Sequence, residues 1–317
     1  MSRRRRGLGG LAARLAGALA VLGCLGSGSA LAQSLASPSG SADAPAGSGF
    51  TVMADQVDLR TGWRMLHSRF PLPKVGGLTG LLGLGDNLWF EAHTVILTPG
   101  RYAARLVDQP RASLLSAPPI SELTRRAKAL LGVNGGYFDA DFNPVGLYVL
   151  GGSIRRPFAN RQLLSGLLVI GRTGRLEIRT QKETYQDAVY ALQCGPLLID
   201  LGGEIGIKNT PGPAARRTVL GIAESGELAV ISTTAVSLRT LAEALHSHPA
   251  AFGVERLERA LNLDGGPSTA MTALFTRPPL RIEALTPVRT ALLFFARRSK
   301  TGDHRTTTEA PRNQGSR

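Results

Sequence analysis

Apolar residues in this chain gather into short runs, most of them bounded by glycine or other turn-forming residues, and only twice fall into helical spacing. The runs Leu88 to Leu97, Tyr102 to Val107, Val145 to Leu150, Gly166 to Ile170, Leu176 to Arg179, Leu197 to Leu201, Val219 to Ala223, Leu228 to Ser232 and Ala291 to Phe295 are aliphatic, aromatic or β-branched, which suits a pleated, half-buried surface. Arg172-Thr173-Gly174, Gly202-Gly203 and Ser225-Gly226 stand between runs as turns and predict antiparallel hairpins. One helix is predicted from an N-cap at Ser121, with Leu123, Ala127, Leu130 and Leu131 on its apolar face; another starts at Ser237, with Leu238, Leu241, Ala242 and Leu245. The whole pattern predicts an α+β fold, a mainly antiparallel, curved β-sheet with a few packed helices in a single domain.

The two ends follow other rules. Arg3 to Arg6, the apolar stretch Leu11 to Leu25 and Ala30-Leu31-Ala32 form the three parts of an export signal, residues 1–32, which predicts a periplasmic or extracellular protein. Arg14 and several glycines interrupt that stretch, so it falls short of the ~20 apolar residues of a membrane span. Ser2-Arg3-Arg4 has a weak twin-arginine look, and Val21-Leu22-Gly23-Cys24 loosely resembles a lipoprotein lipobox. The leucine before Gly23 matches that pattern poorly, which favours ordinary cleavage after Ala32. Residues 33–49, rich in Ser, Ala, Gly and Pro, read as a flexible linker, and residues 297–317 as a disordered basic tail; residues 50–296 remain for the folded domain.

With the signal gone, Cys194 is alone and no intramolecular disulfide can form. Taking the five arginines of residues 1–32, which hold no acids, from the formal charge of +14 leaves +9. That balance favours anionic partners such as envelope glycans or lipid headgroups, although a positive surface also serves solubility alone. Nucleic acid fits poorly: aromatics are 5% of residues, and the basic residues show no stacking pattern.

Candidate chemistry sits at two look-alike strand ends. Leu131-Gly132-Val133-Asn134-Gly135-Gly136 and Leu261-Asn262-Leu263-Asp264-Gly265-Gly266 each run from apolar residues into an oxygen-bearing side chain and a Gly-Gly pair. A glycine pair after a buried strand makes a turn with exposed N–H groups and lets a ligand approach the backbone. Each motif follows one of the predicted helices, so a helix, strand, [Asn/Asp]-Gly-Gly unit is used twice. Each pair also has a plainer reading as a tight turn, with Asp264 capping its own backbone.

The ordered set Asn134-Gly135-Gly136-Tyr137-Phe138, Pro144-Val145-Gly146-Leu147, Gln193-Cys194-Gly195-Pro196-Leu197-Leu198, Arg217-Thr218-Val219-Leu220-Gly221 and Leu263-Asp264-Gly265-Gly266-Pro267-Ser268-Thr269 resembles the phosphodiester glycosidase family. That family includes the lysosomal "uncovering enzyme", which removes N-acetylglucosamine from a sugar phosphodiester, and many exported bacterial proteins associated with exopolysaccharide. The resemblance implies hydrolysis of a glycosyl-1-phosphodiester at the anomeric C–O bond, giving free sugar and a phosphomonoester. Glycosidases usually need two carboxylates, but a departing phosphate needs cationic and N–H stabilisation more than a proton. One carboxylate and one arginine then suffice. On this reading Asp264 activates water or attacks the anomeric carbon, and Arg217 grips the phosphate, with Arg216 beside it able to take that part. Asn134, the amides of Gly135, Gly136, Gly265 and Gly266, and Ser268 would bind sugar or phosphate oxygens, with Thr269 and Gly195 in the same wall. The other reading of the chain is a non-catalytic envelope domain that binds glycans or anions.

Several competing patterns fail on inspection. Asp139-Ala140-Asp141-Phe142-Asn143 starts like an EF-hand loop, but Pro144 replaces its glycine and Leu150 its glutamate. Asp139 and Asp141 read as turn residues, either of which becomes a second active-site carboxylate if the loop folds inward. Gly266-Pro267-Ser268-Thr269-Ala270 lacks the final glycine of a nucleophile elbow and a suitably placed histidine. Cys194 has no basic neighbour to activate it. No zinc spacing, P-loop or dinucleotide fingerprint occurs, so no cofactor is expected and a divalent cation has no motif to hold it.

Overall fold

The computed structural model describes residues 49–72, 88–109, 117–207 and 212–297. The expected signal, nearly all of the expected linker and most of the expected tail lie outside the described residues. Three antiparallel sheets carry the fold. The largest has the order β1 (Thr51–Asp58), β2 (Trp63–Pro71), β3 (Trp89–Leu97), β13 (Leu228–Val236), β12 (Ala215–Ala223), β14 (Leu257–Asn262), β11 (Leu197–Ile199). A second runs β7 (Ser153–Arg156), β6 (Tyr148–Leu150), β10 (Tyr190–Cys194), β8 (Gly166–Ile170), β9 (Leu176–Thr180). The third runs β16 (Leu280–Ile282), β15 (Met271–Ala273), β5 (Leu131–Asn134), β17 (Thr290–Ala296), β4 (Tyr102–Asp108).

The expected antiparallel architecture with few helices is observed, but the α+β fold with one curved sheet is corrected to a mostly β fold of three sheets, because the described residues contain just two α-helices. The predicted hairpin turns join β8 to β9 and β12 to β13, and Gly202-Gly203 closes a bridge between Ile199 and Ile205. Strand periodicity explains the layering. Alternate residues of the large sheet, among them Trp63, Met65, Val95, Leu97, Leu220 and Val230, share a core with residues of both smaller sheets. The intervening residues, such as Leu66, Ile96, Val219, Ala229 and Ile231, pack on helix α2 (Leu238–Ser247). That helix starts at the predicted cap, where Ser237 accepts from the N–H of Thr240.

Helix α1 (Ile120–Arg126) departs from the prediction. Pro119 is its N-cap, Ser121 lies inside it, and Lys128 at φ 57° stops it, so that Leu131 belongs to β5 instead. The order of helix, strand and glycine motif is observed twice, but in different sheets: β5 belongs to the third sheet and β14 to the largest. Their C-terminal ends meet, since Asp264 N–H donates to the Gly135 carbonyl at 3.2 Å.

Candidate active site

The meeting point is held by Asn134, which is 1% exposed. Its Nδ2 donates to the Asp264 carbonyl at 2.8 Å. Its Oδ1 accepts from Thr218 Oγ1 at 2.7 Å and from the Ala270 N–H at 3.0 Å. One amide thus ties β5 to β12 and to both sides of the second glycine motif. The neighbouring amides are also engaged: Gly135 N–H donates to the Thr290 carbonyl at 2.8 Å and Gly136 N–H to Thr290 Oγ1 at 3.1 Å. A Cβ on Gly135 would collide with Thr290 Oγ1. The first motif is a structural knot, and the ligand-binding amides expected at Gly135 and Gly136 are already taken within the protein.

The second motif is open. Asp264 is partly buried, and that burial raises its pKa above the ordinary carboxylate value; bonds from Ser268 and from the Gly265 N–H, at 2.9 Å, oppose the rise. Gly266, at φ 58°, faces open space, and its N–H has no partner among the described residues. Ser268 is buried with its side chain turned to Asp264. Thr269 is fully buried, and its Oγ1 has no partner among the described residues.

The two adjacent arginines differ sharply. Arg216 bonds the carbonyls of Gly266, Pro267, Thr269 and Glu283, clamping the loop from outside. Arg217 bonds the carbonyls of Val236 at 3.1 Å and Pro213 at 2.7 Å, and pairs with no carboxylate among the described residues. Its guanidinium is half-buried, and desolvation lowers its pKa. Its Nη1 lies beside Gly265, where a Cβ would come within 3.8 Å of it and within 2.9 Å of the Arg216 carbonyl. A desolvated anion and a desolvated cation therefore stand near the same glycine without forming an ion pair. Leaving both unpaired costs stability, and a bound ligand would offset that cost.

Tyr137 closes the inner wall. Its hydroxyl donates to the Gly195 carbonyl at 2.6 Å and accepts from Asn262 Nδ2 at 2.7 Å. Burial raises its pKa, and the charges of Asp264 and Arg217 both act on it. Cys194 lies against Gly136, fully buried, and burial followed by the Asp264 charge drives its pKa up, which makes it an inert thiol. Tyr137 and Asn262 gained no role from the sequence, although Asn262 precedes Asp264 by two, the strand period that puts alternate residues on one face.

The loop after Tyr137 does not bring a second carboxylate inward. Asp139 Oδ1 accepts from the N–H groups of Asp141 and Asn143 at 3.0 and 2.8 Å, a self-capped turn that lowers its pKa, and Asp141 is exposed. Among the described residues, the side chains that could share a metal ion are His67, Glu91 and His93, with ligand atoms within 4.8 Å of one another. Glu91 already bonds His67 and Arg69 there, and none of the three belongs to the loop around Asp264.

The family model for phosphodiester glycosidases matches residues 127–295. The fold is similar to the catalytic domain of zebrafish N-acetylglucosamine-1-phosphodiester alpha-N-acetylglucosaminidase, auto-inhibited by its pro-peptide. That likeness has a TM-score of 0.53 and 17% identity over 74% of this chain and 84% of that one. A hypothetical protein from Synechocystis is similar at a TM-score of 0.51 and 14% identity, over 74% of this chain and 62% of its own. No curated protein matches at a significant level.

Proposed function

This chain belongs to the phosphodiester glycosidase family, and from that membership and the open loop we propose that it hydrolyses a sugar-1-phosphodiester of envelope or extracellular glycans after export. The observation that carries the reading is that Asp264 precedes Gly265 and Arg217 lies beside it, both partly buried and neither with an ion-pair partner among the described residues. Arg217 receives the phosphate, and the free N–H of Gly266 adds a donor beside it. Asp264 acts at the anomeric carbon, either as base to a water or as nucleophile. In the net reaction water supplies OH to the carbon, the C–O bond breaks, its electron pair leaves on the phosphate oxygen, and the remaining proton goes to solvent. Phosphate departs as an anion, so the absence of a second carboxylate among the residues around Asp264 is compatible with the chemistry. Asn134 acts by holding the Asp264 backbone, and Arg216 by holding the loop.

The test is a product assay of the full chain on hexose- and N-acetylhexosamine-1-phosphodiesters, with and without EDTA and with Asp264→Asn. Free sugar plus phosphomonoester, lost in the variant, is the expected result. Saturable binding with no product from any substrate would favour a non-catalytic glycan-binding domain instead.

A further inference from the structure

Beside this loop lies a cleft of about 560 Å³ that shares Tyr137 and Gly195 with the candidate active site. Its apolar walls are Val145, Leu163, Leu164, Pro196 and Leu238, with Arg161 and the exposed Gln162 at the rim. Leu238 stands two residues beyond Val236, whose carbonyl anchors Arg217, so the cleft begins where the phosphate grip ends. Leu163, at its mouth, is 72% exposed, a large apolar side chain left in water at the entrance. Arg161 is on the same wall, exposed and without an ion pair among the described residues. A sugar is a poor occupant, because its hydroxyls need polar partners and this lining is chiefly aliphatic. An alkyl or isoprenoid chain needs none.

Resting on the glycosidase reading, we propose that the cleft binds the alcohol arm of the substrate and that this arm is apolar: the substrate class is a glycosyl phosphodiester of a long-chain alcohol. The sugar then lies over Asp264, the phosphoryl group at Arg217, and the chain runs past Tyr137 along Leu164 and Leu238. Arg161 at the rim adds positive charge where the anionic product would leave.

Two measurements test this, one without turnover. Binding of octyl phosphate and methyl phosphate to Asp264→Asn protein is compared by calorimetry. Each fully buried methylene strengthens binding about fourfold, so even partial burial of the chain predicts at least about 30-fold tighter binding of octyl phosphate. Leu238→Asp should abolish that preference, its added charge weakening both phosphates alike, and Leu163→Ser, at an exposed position, should reduce it without disturbing the fold. In turnover, octyl and methyl esters of one sugar-1-phosphate should differ by a similar factor in kcat/KM, mainly through KM. Equal binding of the two phosphates, or a preference that survives Leu238→Asp, would overturn the apolar-arm assignment and leave the glycosidase reading standing. A chain-length preference in binding with no hydrolysis of either ester would support the cleft as an alkyl phosphate site and remove the glycosidase reading.

Discussion

At the end of β5, both polar atoms of the Asn134 side chain are spent on the protein, and the two glycine N–H groups that follow are bonded to Thr290. At the end of β14, Asp264 keeps a carboxylate whose charge burial disfavours, and Gly266 faces open space. Two segments that begin alike have thus divided the work. The amide motif makes a junction between sheets, and the carboxylate motif carries on that junction an acid with no ion-pair partner among the described residues. An asparagine suits the first position because it both donates and accepts without carrying charge. An aspartate suits the second because a buried carboxylate that no cation neutralises stays reactive toward a ligand.

The largest effect that follows is on Asp264→Asn, which should cut turnover by about 10³-fold or more, as removal of a nucleophile or base does. It should also leave thermal stability unchanged or raised. The sign follows from the raised pKa: burial favours the protonated form, so the contribution to stability is full below the unfolded-state pKa and is lost as pH rises through the folded value. At neutral pH the ionised carboxylate is a cost that the amide lacks. A variant with wild-type turnover and a lowered melting temperature would assign Asp264 to turn capping.

Arg217→Ala should lose roughly 10²-fold to 10³-fold in kcat/KM, with Arg217→Lys recovering part of it, since a point charge replaces the fork poorly. Arg216→Ala should instead lower the melting temperature by freeing three loop carbonyls and that of Glu283. Equal kinetic losses at the two arginines would erase the distinction between grip and clamp.

Asn134→Ala should destabilise by about 3 kcal/mol, because it orphans the Asp264 carbonyl and the Thr218 and Ala270 donors; denaturant unfolding reads it. Activity per folded molecule should fall less than in Asp264→Asn. On the acid side, kcat/KM should decline as pH drops through a value above the ordinary aspartate pKa of about 4. A decline centred at or below that value would place the essential carboxylate elsewhere. The smallest effect belongs to Gly266→Ala, about 1 kcal/mol for a positive φ with free space around it.

How far the sequence spoke depended on how local the signal was. Strand runs dense in aliphatic residues, such as Gly166–Ile170, and a helix with its own cap at Ser237 were legible because a few neighbouring residues decide them. Strands β1 and β2 escaped notice because Asp55, Arg64 and His67 dilute their alternation, although Trp63 and Met65 do point into the core. At the start of α1, Ser121 offers a cap signal in the sequence while Pro119 holds the cap position in the fold. Within the candidate site, the ordered motifs lie on segments that the fold brings together. Which glycine amides are free, and which arginine is occupied, depended on Thr290 and on the Gly266–Thr269 carbonyls, partners far away in sequence.

Hydrolysis of a sugar-1-phosphodiester in ¹⁸O-labelled water, with both products weighed by mass spectrometry, tests the central claim most directly. If Asp264 and Arg217 work as described, the label enters the sugar at its anomeric carbon and the phosphomonoester carries none. Label in the phosphate, from attack at phosphorus that breaks either P–O ester bond, would contradict the account.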